Sequence, residues 1–336
     1  MATTSMRDRA LGAFYGLAIG DALGMPTQFL SRTRVAELFG TIVGFEDGPP
    51  SNEISAGTPA GRVTDDIDQA VILARTIIDG RGTVDPQIFA DRLLAWERGQ
   101  SAQWPAHTPG RSTRRALEAV GDGVDVAVAG RWGDTNGAAM RVTPVGIACP
   151  REPLADLCGR VEEASRLTHG TGLAISGACA VAAAVSAGVE GSDLQTAIAS
   201  GIAGAKRGSR LGAYMAGASV PTRIRWAIDL VLGSQRADAL DLLDRLIGTG
   251  VATQEAVPAA FAVLSRWGRK PWQACLRAAE LGGDSDTIAA MTGAMAGAVA
   301  GIEAFPPAAI AQVRSVNRLD LDDLVDELLA LRCSPR

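Results

Sequence analysis

Residues 282–302 read GGDSDTIAAMTGAMAGAVAGI and join a polar start to a long apolar run. Within the run, Gly293, Gly297 and Gly301 recur at four-residue spacing. Residues four apart lie on one face of an α-helix, so this spacing predicts a helix against which another backbone can pack closely. The run is shorter than the roughly 20 residues that a membrane span needs, and acidic residues flank it. We therefore expect a buried helix in a protein without a membrane partner.

Helical patterns dominate the rest of the chain as well. Apolar residues recur at three- and four-residue spacing in residues 9–23, 69–78, 88–96, 154–167, 173–189, 198–205, 224–232, 237–247, 257–267, 271–281 and 321–331. A short strand is compatible with residues 124–128, but no alternating stretch is long enough to build a sheet. The absence of a strand-then-helix repeat excludes a doubly wound α/β fold. The sequence predicts an all-α fold.

Composition limits how these helices pack and which partners the protein has. The chain has 336 residues, with 39 glycines and only 4% aromatic residues, so helices must meet through small side chains. No linker, charge block or repeat divides it, and we expect one domain over residues 1–336. Because 37 acidic residues outnumber 32 basic ones, nucleic acid is not an expected partner.

The cysteines and the N-terminus bear on location. No cysteine pair has the C-x-x-C spacing of a zinc or thiol-exchange motif, and an odd number of five argues against a disulfide framework. Residues 1–9 mix both charges and show no secretory signal. A cytoplasmic location is therefore expected.

Two acidic segments open predicted helices: residues 64–68, TDDID, and residues 282–287, GGDSDT. One Asp or Thr is enough to cap a helix, with a contribution of about 1 kcal/mol, so each segment could be an ordinary cap. Three carboxylates within four residues exceed that need, and clustered carboxylates repel one another unless a cation lies among them. With only two histidines in the chain, oxygen ligands favour Mg²⁺ or Mn²⁺ over zinc. Two such segments are compatible with a two-metal site about 3.5–4 Å across.

Two further segments are candidates for binding substrate. Residues 133–141, GDTNGAAMR, form a small-residue loop whose N–H groups could face an anion or a sugar, although a plain helix-entry turn fits equally well. His169 follows the predicted helix 154–167, where it could interact with the helix dipole or serve a site. The irregular stretches 40–61, 99–111 and 121–137 are long enough that we expect them to line a site.

The order of these motifs resembles the ADP-ribosylglycohydrolase family, of the dinitrogenase-reductase-activating glycohydrolase type. The resemblance covers nearly the whole chain and rests on GLAIGDALG at 16–24, TDD at 64–66, NGAAMR at 136–141, TH at 168–169 and GGDSDT at 282–287. It implies an orthogonally packed all-helical fold. It also implies a binuclear Mg²⁺ centre at the bottom of a cleft, and hydrolysis at the anomeric carbon of a ribose.

The resemblance also implies roles for individual residues. The expected metal ligands are Thr64, Asp65, Asp66, Asp284, Asp286 and Thr287. The expected contacts to the ribose or to its substituent are Asn136, Gly137, Met140, Arg141 and His169.

Two positions depart from the family pattern. Gln28 stands where many members have a glutamate near the metal, and Ile67 followed by Asp68 stands where many have a second threonine. A glutamine cannot accept a proton, whereas Asp68 could restore the lost charge. We expect Gln28 and Asp68 to contact substrate, and both changes fit members that act on smaller ribosides.

We therefore expect a Mg²⁺-dependent hydrolase of N- or O-ribosyl bonds. Its substrate would be an ADP-ribosyl group or a small nucleoside-like riboside, and one of Asp65, Asp66, Asp68 or Asp286 would orient or deprotonate the attacking water. One alternative is an inactive family member that binds ADP-ribose or has a structural role. Another is a Mg²⁺ phosphatase, because Asp284-x-Asp286 resembles an aspartyl-phosphate loop, although such a loop should follow a strand.

Overall fold

A computed structural model describes residues 4–100, 109–235 and 238–333. In these ranges the chain forms helices and no strand beyond two isolated bridges. The α-helices are α1 (Met6–Gly24), α2 (Arg32–Phe39), α3 (Asp65–Asp79), α4 (Pro86–Gln100), α5 (Arg111–Gly121), α6 (Val126–Ala129), α7 (Gly137–Arg141), α8 (Thr143–Ala148), α9 (Leu154–Arg166), α10 (Gly172–Val189), α11 (Leu194–Gly208), α12 (Val220–Gly233), α13 (Ala239–Leu242), α14 (Thr253–Trp267), α15 (Pro271–Ala279), α16 (Ser285–Ala300), α17 (Pro307–Asn317) and α18 (Asp322–Cys333). Short 3₁₀ turns occupy Met25–Thr27 and Ile302–Ala304, and a π-helical turn occupies Leu243–Ile247. The predicted all-α fold is confirmed.

Most of the predicted helices are present, with ends that differ from the predicted ones by a few residues. The segment predicted as 237–247 instead divides into α13 and the π-helical turn, and residue 237 lies outside the described ranges. The strand considered at 124–128 is wrong, because Asp125 caps the short helix α6 through the N–H of Ala127 at 2.9 Å. Of the irregular stretches, 40–61 is confirmed, 121–137 contains α6, and 99–111 lies largely outside the described residues.

The centre of the fold is the antiparallel pair α1 and α16. A Cβ placed on Gly12 would lie 2.5 Å from the Gly297 carbonyl oxygen, and one on Gly16 would lie 2.3 Å from that of Gly293. Only glycine allows backbones to approach so closely, which confirms the close helix packing predicted from the glycine spacing. The C-terminal end of α1 therefore lies against the start of α16.

One described helix, α10, is long and apolar enough to cross a membrane by length and composition alone. In the folded chain 89% of that segment is buried among the other helices. The core helix of a soluble protein has the same properties, so α10 gives only weak evidence for a membrane span.

Candidate active site

The starts of α3, α7 and α16 meet at one end of the central helix pair. The Thr287 hydroxyl donates to Asp66 Oδ1 at 3.3 Å, which joins α16 to α3. Asn136, at the start of α7, donates its amide N–H to Asp284 Oδ2. Residues far apart in the sequence are thus brought into one polar cluster.

Asp21 of α1 fixes the position of the first acidic segment. Its fully buried carboxylate accepts the backbone N–H of Thr64 at 2.9 Å and that of Ile67 at 3.3 Å. Thr64 is the N-cap of α3, and its hydroxyl accepts the N–H of Asp66. These bonds satisfy donors that every helix start leaves free, and they orient the following carboxylates toward the centre.

Two glycines shape the entry to α16. Gly282 and Gly283 both have positive φ angles, 68° and 62°, which other residues rarely adopt. The chain turns there so that the N–H of Asp284 donates to the Thr249 carbonyl at 2.6 Å. The predicted GGDSDT segment is therefore a tight turn that delivers Asp284 and Asp286 to the cluster.

His169 is held through both of its ring nitrogens, one of which contacts the loop 133–141. Its Nε2 lies 2.9 Å from the Thr135 hydroxyl, and its Nδ1 lies 2.7 Å from the Thr168 hydroxyl. Burial, together with the nearby Arg141 guanidinium, lowers the pKa of His169 well below its ordinary value. The ring is neutral at physiological pH and orients hydroxyl groups.

These groups surround a cavity of about 550 Å³. Of the predicted site residues, those that line it are Gln28, Asp65, Asp66, Asn136, Gly137, Met140, His169, Asp284, Asp286 and Thr287. The sequence motifs therefore converge on one space. Whether each residue acts as ligand or substrate contact stays a prediction.

Thr64, Asp68 and Arg141 do not line the cavity. Asp68 accepts the indole N–H of Trp96 at 3.1 Å on the outer side of α3. Arg141 is buried behind the wall, where it donates to Gln69 at 2.8 Å and to Thr168 at 2.5 Å. Their positions favour indirect roles, and the predicted substrate contacts of Asp68 and Arg141 gain no support from the geometry.

The carboxylates of the cluster are difficult to ionise together. Burial, followed by the charges of neighbouring carboxylates, raises the pKa of Asp65 to about 8. The same causes raise the pKa values of Asp66 and Asp286 well above the ordinary range. Burial raises the pKa of Asp284 to about 6, against the opposing effect of its hydrogen bonds from Asn136 and Thr287. The cluster therefore favours either protons or a cation.

Two oxygen atoms fit a cation in particular. In the described ranges, Asp66 Oδ2 and Asp286 Oδ1 are buried and have no hydrogen-bond partner. Leaving such atoms unpaired is costly, so these two, from different helix starts, point to a missing positive partner. Among the described residues, no three or more His, Cys, Asp or Glu side chains are arranged so that they alone could hold a metal ion. Mg²⁺ keeps several waters and needs only one or two carboxylates, so the donor set still fits it.

Comparison with known proteins places the chain in a family. The family model described as ADP-ribosylglycohydrolase matches residues 2–336. The chain belongs to the ADP-ribosylglycohydrolase family. This match confirms the resemblance inferred from the five motifs. As a member of this family, the protein is a hydrolase of the glycosidase class.

Other members of the ADP-ribosylglycohydrolase family show the extent of the similarity. The uncharacterized protein YegU of Escherichia coli is 34% identical over 326 residues, which are 97% of this chain and 97% of that protein. The ADP-ribosylarginine hydrolase Tri1 of Pseudomonas putida is 30% identical, over 96% of this chain and 81% of that protein. A solved ADP-ribosylglycohydrolase-related protein complex aligns with a TM-score of 0.73 at 28% identity, covering 98% of this chain and 99% of that one.

Sequence reasoning missed several residues of this family member's site. Asp21 lies in the quoted GLAIGDALG motif, and the signal was a single carboxylate within the otherwise apolar stretch 16–24. Thr135 lies in the quoted loop, but its hydrogen bond to His169 depends on the fold. Phe29 and Arg115 also line the cavity, and nothing in the local sequence distinguishes them from surface residues.

Proposed function

We propose that this protein is a Mg²⁺-dependent glycohydrolase that cleaves an N- or O-glycosidic bond at the anomeric carbon of a ribose, with two ions as the expected number. The observation that carries the proposal is the pair of unpartnered, buried carboxylate oxygens of Asp66 and Asp286, which lie on two helix starts facing one cavity. Tri1, a relative that covers nearly all of this chain, is an ADP-ribosylarginine hydrolase. ADP-ribosyl compounds are therefore the first substrates to test, with simple nucleosides second.

The residues around the cavity supply what this reaction needs. Asp66 and Asp286 would hold the metal, with Asp284 and the Thr287 hydroxyl beside them. When bound, Mg²⁺ supplies positive charge that orients substrate oxygens and acidifies nearby water. The transition state at an anomeric carbon resembles an oxocarbenium ion, so a carboxylate-lined floor also stabilises the developing positive charge.

Proton transfer falls to an aspartate of this floor. Asp65 lines the cavity and accepts one hydrogen bond from Gln69 at 2.7 Å, which fixes its orientation. Gln28 lines the same cavity but carries an amide, which cannot accept a proton from water. We therefore assign Asp65 as the general base and Gln28 as a group that positions water or substrate. Neutral His169 and the Thr135 hydroxyl would contact the ribose side of the substrate.

The phosphatase alternative loses its structural basis. An aspartyl-phosphate loop should follow a buried strand, whereas the segment before Asp284 is helix α15 and a tight glycine turn. In the remaining alternative, the protein is a family member that binds ADP-ribose but does not hydrolyse it. This alternative uses the same cavity and differs from our proposal only in having no catalytic turnover. The retained carboxylates of both acidic segments favour the active enzyme.

The test compares metal-site variants with a capping variant. Asp66→Asn and Asp286→Asn should each abolish Mg²⁺-dependent hydrolysis of ADP-ribosylarginine while the helical circular dichroism stays intact, because charge is lost and shape is kept. Asp193→Asn is the matched control, since Asp193 only caps an exposed helix start through Thr196 N–H at 2.8 Å. It should keep full activity.

Two results would contradict the proposal. Full turnover in excess EDTA would exclude metal dependence. Near-normal rates in Asp66→Asn and Asp286→Asn would exclude their roles as ligands, and unfolding of these variants would instead support simple capping.

A further inference from the structure

Six side chains form a continuous hydrogen-bonded network behind the cavity wall. In order they are Asp65, Gln69, Arg141, Thr168, His169 and Thr135. The bonded atoms of successive members are 2.5–2.9 Å apart. The two end members line the cavity, whereas Arg141 at the centre is 1% exposed and lies over the Phe89 ring. The Asp65–Thr135 network therefore connects two parts of the cavity through a buried arginine.

Arg141 fixes the direction of the hydrogen bonds on the Asp65 side. A guanidinium group has donors and no acceptor, and burial lowers the pKa of Arg141 only to about 10, so the group stays protonated at physiological pH. Gln69 must therefore turn its amide oxygen toward Arg141, which leaves its NH₂ group to donate to Asp65 Oδ2. One oxygen of Asp65 is thereby held in place.

The same reasoning fixes the tautomer of His169. The Thr168 hydroxyl is fully buried, and in the described part of the chain its hydrogen-bond partners are Arg141 and His169 Nδ1 alone. Since the hydroxyl oxygen accepts from Arg141, the hydroxyl proton goes to Nδ1. The proton of the neutral ring then lies on Nε2, which donates to the Thr135 hydroxyl.

Thr135 is left with a hydroxyl proton that no residue in the described ranges accepts. Its oxygen accepts from His169 Nε2, and the residue lines the cavity with 5% exposure. The Thr135 proton is therefore available to an oxygen of a bound substrate. Gly137 leaves room for this arrangement, because a Cβ there would lie 2.9 Å from His169 Nε2.

We propose that Arg141 is a positioning residue, which sets the direction of the Asp65–Thr135 network so that Thr135 donates a hydrogen bond to an oxygen of the substrate. Arg141 itself touches no substrate and acts through the other members of the network. Without it, the Thr168 oxygen is free to accept from Nδ1 of His169. In that opposite tautomer Nε2 becomes an acceptor and takes up the Thr135 proton. That the substrate oxygen belongs to a ribosyl group rests on the proposed function, whereas the direction of the network does not.

The first experiment reads the tautomer of His169 by ¹H–¹⁵N correlation of the ring nitrogens, in full-length protein labelled at histidine with Mg²⁺ present. The sequence has two histidines, so a His107→Gln protein assigns the remaining signals to His169. We expect a protonated Nε2 and an unprotonated Nδ1. A protonated Nδ1 in the wild-type protein would overturn the proposal without any substitution in the network, whether or not the protein hydrolyses a ribosyl bond.

Two substitutions should change this tautomer. Arg141→Met and Thr168→Val should each give signals from a protonated Nδ1, because the first frees the Thr168 oxygen and the second removes the donor to Nδ1. Thr168→Ser keeps the hydroxyl and should restore the wild-type signals. Arg332→Met is the matched control, because Arg332 is another buried arginine, which donates to backbone carbonyls at the end of α8 and does not line the cavity. It should lower stability and leave the His169 signals unchanged.

The second experiment measures the binding of ADP-ribose by calorimetry in the presence of Mg²⁺ and tests the donor at Thr135. Thr135→Val should weaken binding about five- to tenfold, the effect of losing one hydrogen bond. Thr135→Ser keeps the hydroxyl and should bind ADP-ribose as the wild type does. Arg141→Met should weaken binding to a degree similar to that of Thr135→Val, because it leaves Thr135 without a proton to donate.

Other outcomes would overturn the proposal. Wild-type His169 signals in Thr168→Val and in folded Arg141→Met would show that the network does not set the tautomer, and Thr168→Val decides alone if Arg141→Met does not fold. A changed tautomer in Arg332→Met would show a general effect of lost packing. Wild-type affinity of Thr135→Val for ADP-ribose would show that Thr135 donates nothing to the ligand. If no ribosyl bond is hydrolysed but signals and affinities change as expected, the proposed function fails and the role of Arg141 stands.

Discussion

Replacing Gly20 with alanine tests the contact that aligns α1 and α16 beneath the active site. A Cβ on Gly20 would lie 2.0 Å from the carbonyl oxygen of Ala289 and 2.4 Å from its carbonyl carbon. Both are backbone atoms, so no side-chain rotation relieves the clash, and the helices must separate. Ordinary contact begins at 3.4 Å, so the new methyl group needs a shift of about 1 Å or more in a close-packed interior.

The expected cost follows from this geometry. Inserting a methyl group into a well-packed core costs typically 1–3 kcal/mol, and here the obstacle is backbone, so we expect a loss of about 3 kcal/mol or more in the free energy of unfolding. Gly159 is the matched control, because it lies in α9, is exposed, and has no atom within 4 Å of the position that a Cβ would take. Gly159→Ala should stabilise the protein by roughly 0.5–1 kcal/mol through helix propensity.

Urea denaturation followed by circular dichroism measures both variants. A second measurement, the rise in melting temperature with Mg²⁺, reports on the site. Because Gly20 precedes Asp21 and faces the start of α16, Gly20→Ala should also reduce the Mg²⁺ effect in whatever fraction remains folded. A Gly20→Ala protein within about 1 kcal/mol of wild type would refute the argument that backbone contact fixes this pair.

Further predictions concern the polar and charged groups of the site. Asp21→Asn should lower the free energy of unfolding by about 1–3 kcal/mol in urea denaturation, because an NH₂ group replaces one of the two carboxylate oxygens that accept the N–H of Thr64; an unchanged midpoint would contradict this. The raised pKa values of Asp65, Asp66 and Asp286 mean that the metal-free protein holds protons that the unfolded chain releases from about pH 4 upward, so its stability should fall as the pH rises from there toward the Asp65 pKa of about 8. The gain in melting temperature with Mg²⁺ should grow over the same range, and an equal gain at pH 5 and pH 8 would contradict it. Asp68→Asn should leave the rate of hydrolysis nearly unchanged and lower the free energy of unfolding by at most about 1 kcal/mol. A large loss of rate in this variant would restore the predicted role of Asp68 in the site. Gln28→Glu should be tolerated or change the preference between ADP-ribosylarginine and a nucleoside.

The sequence predicted helices well where an apolar stripe repeats over several turns. It missed α7 and α8, because both are short and buried on all sides and therefore show no alternation between a wet and a dry face. It also missed α5, whose first five residues, 111–115, are all polar, so that few apolar positions are left to show a period. The spacing of apolar residues therefore predicts long amphipathic helices but not short helices that are buried on all sides.

The candidate site was predictable as a set of motifs but not as a geometry. Clustered carboxylates at two helix starts were visible in the sequence, whereas the bonds that hold them are long-range. Asp21 and Thr64 are 43 positions apart, and Asn136 and Asp284 are 148 positions apart. Asp68 shows the consequence: it stands among the carboxylates in sequence, yet the turn of α3 carries it away from the cavity to Trp96. Helical periodicity separates neighbours in sequence onto different faces.

The electrostatics of the cavity connect folding with cation binding. The buried carboxylates are costly to ionise on their own, so a cation that binds them also stabilises the folded chain, and metal affinity and stability should change together with pH. Arg111 and Arg115 line the same cavity but do not supply that positive charge, because both side chains are exposed to solvent whereas Asp66 and Asp286 are buried and Asp66 Oδ2 and Asp286 Oδ1 have no hydrogen-bond partner in the described part of the chain.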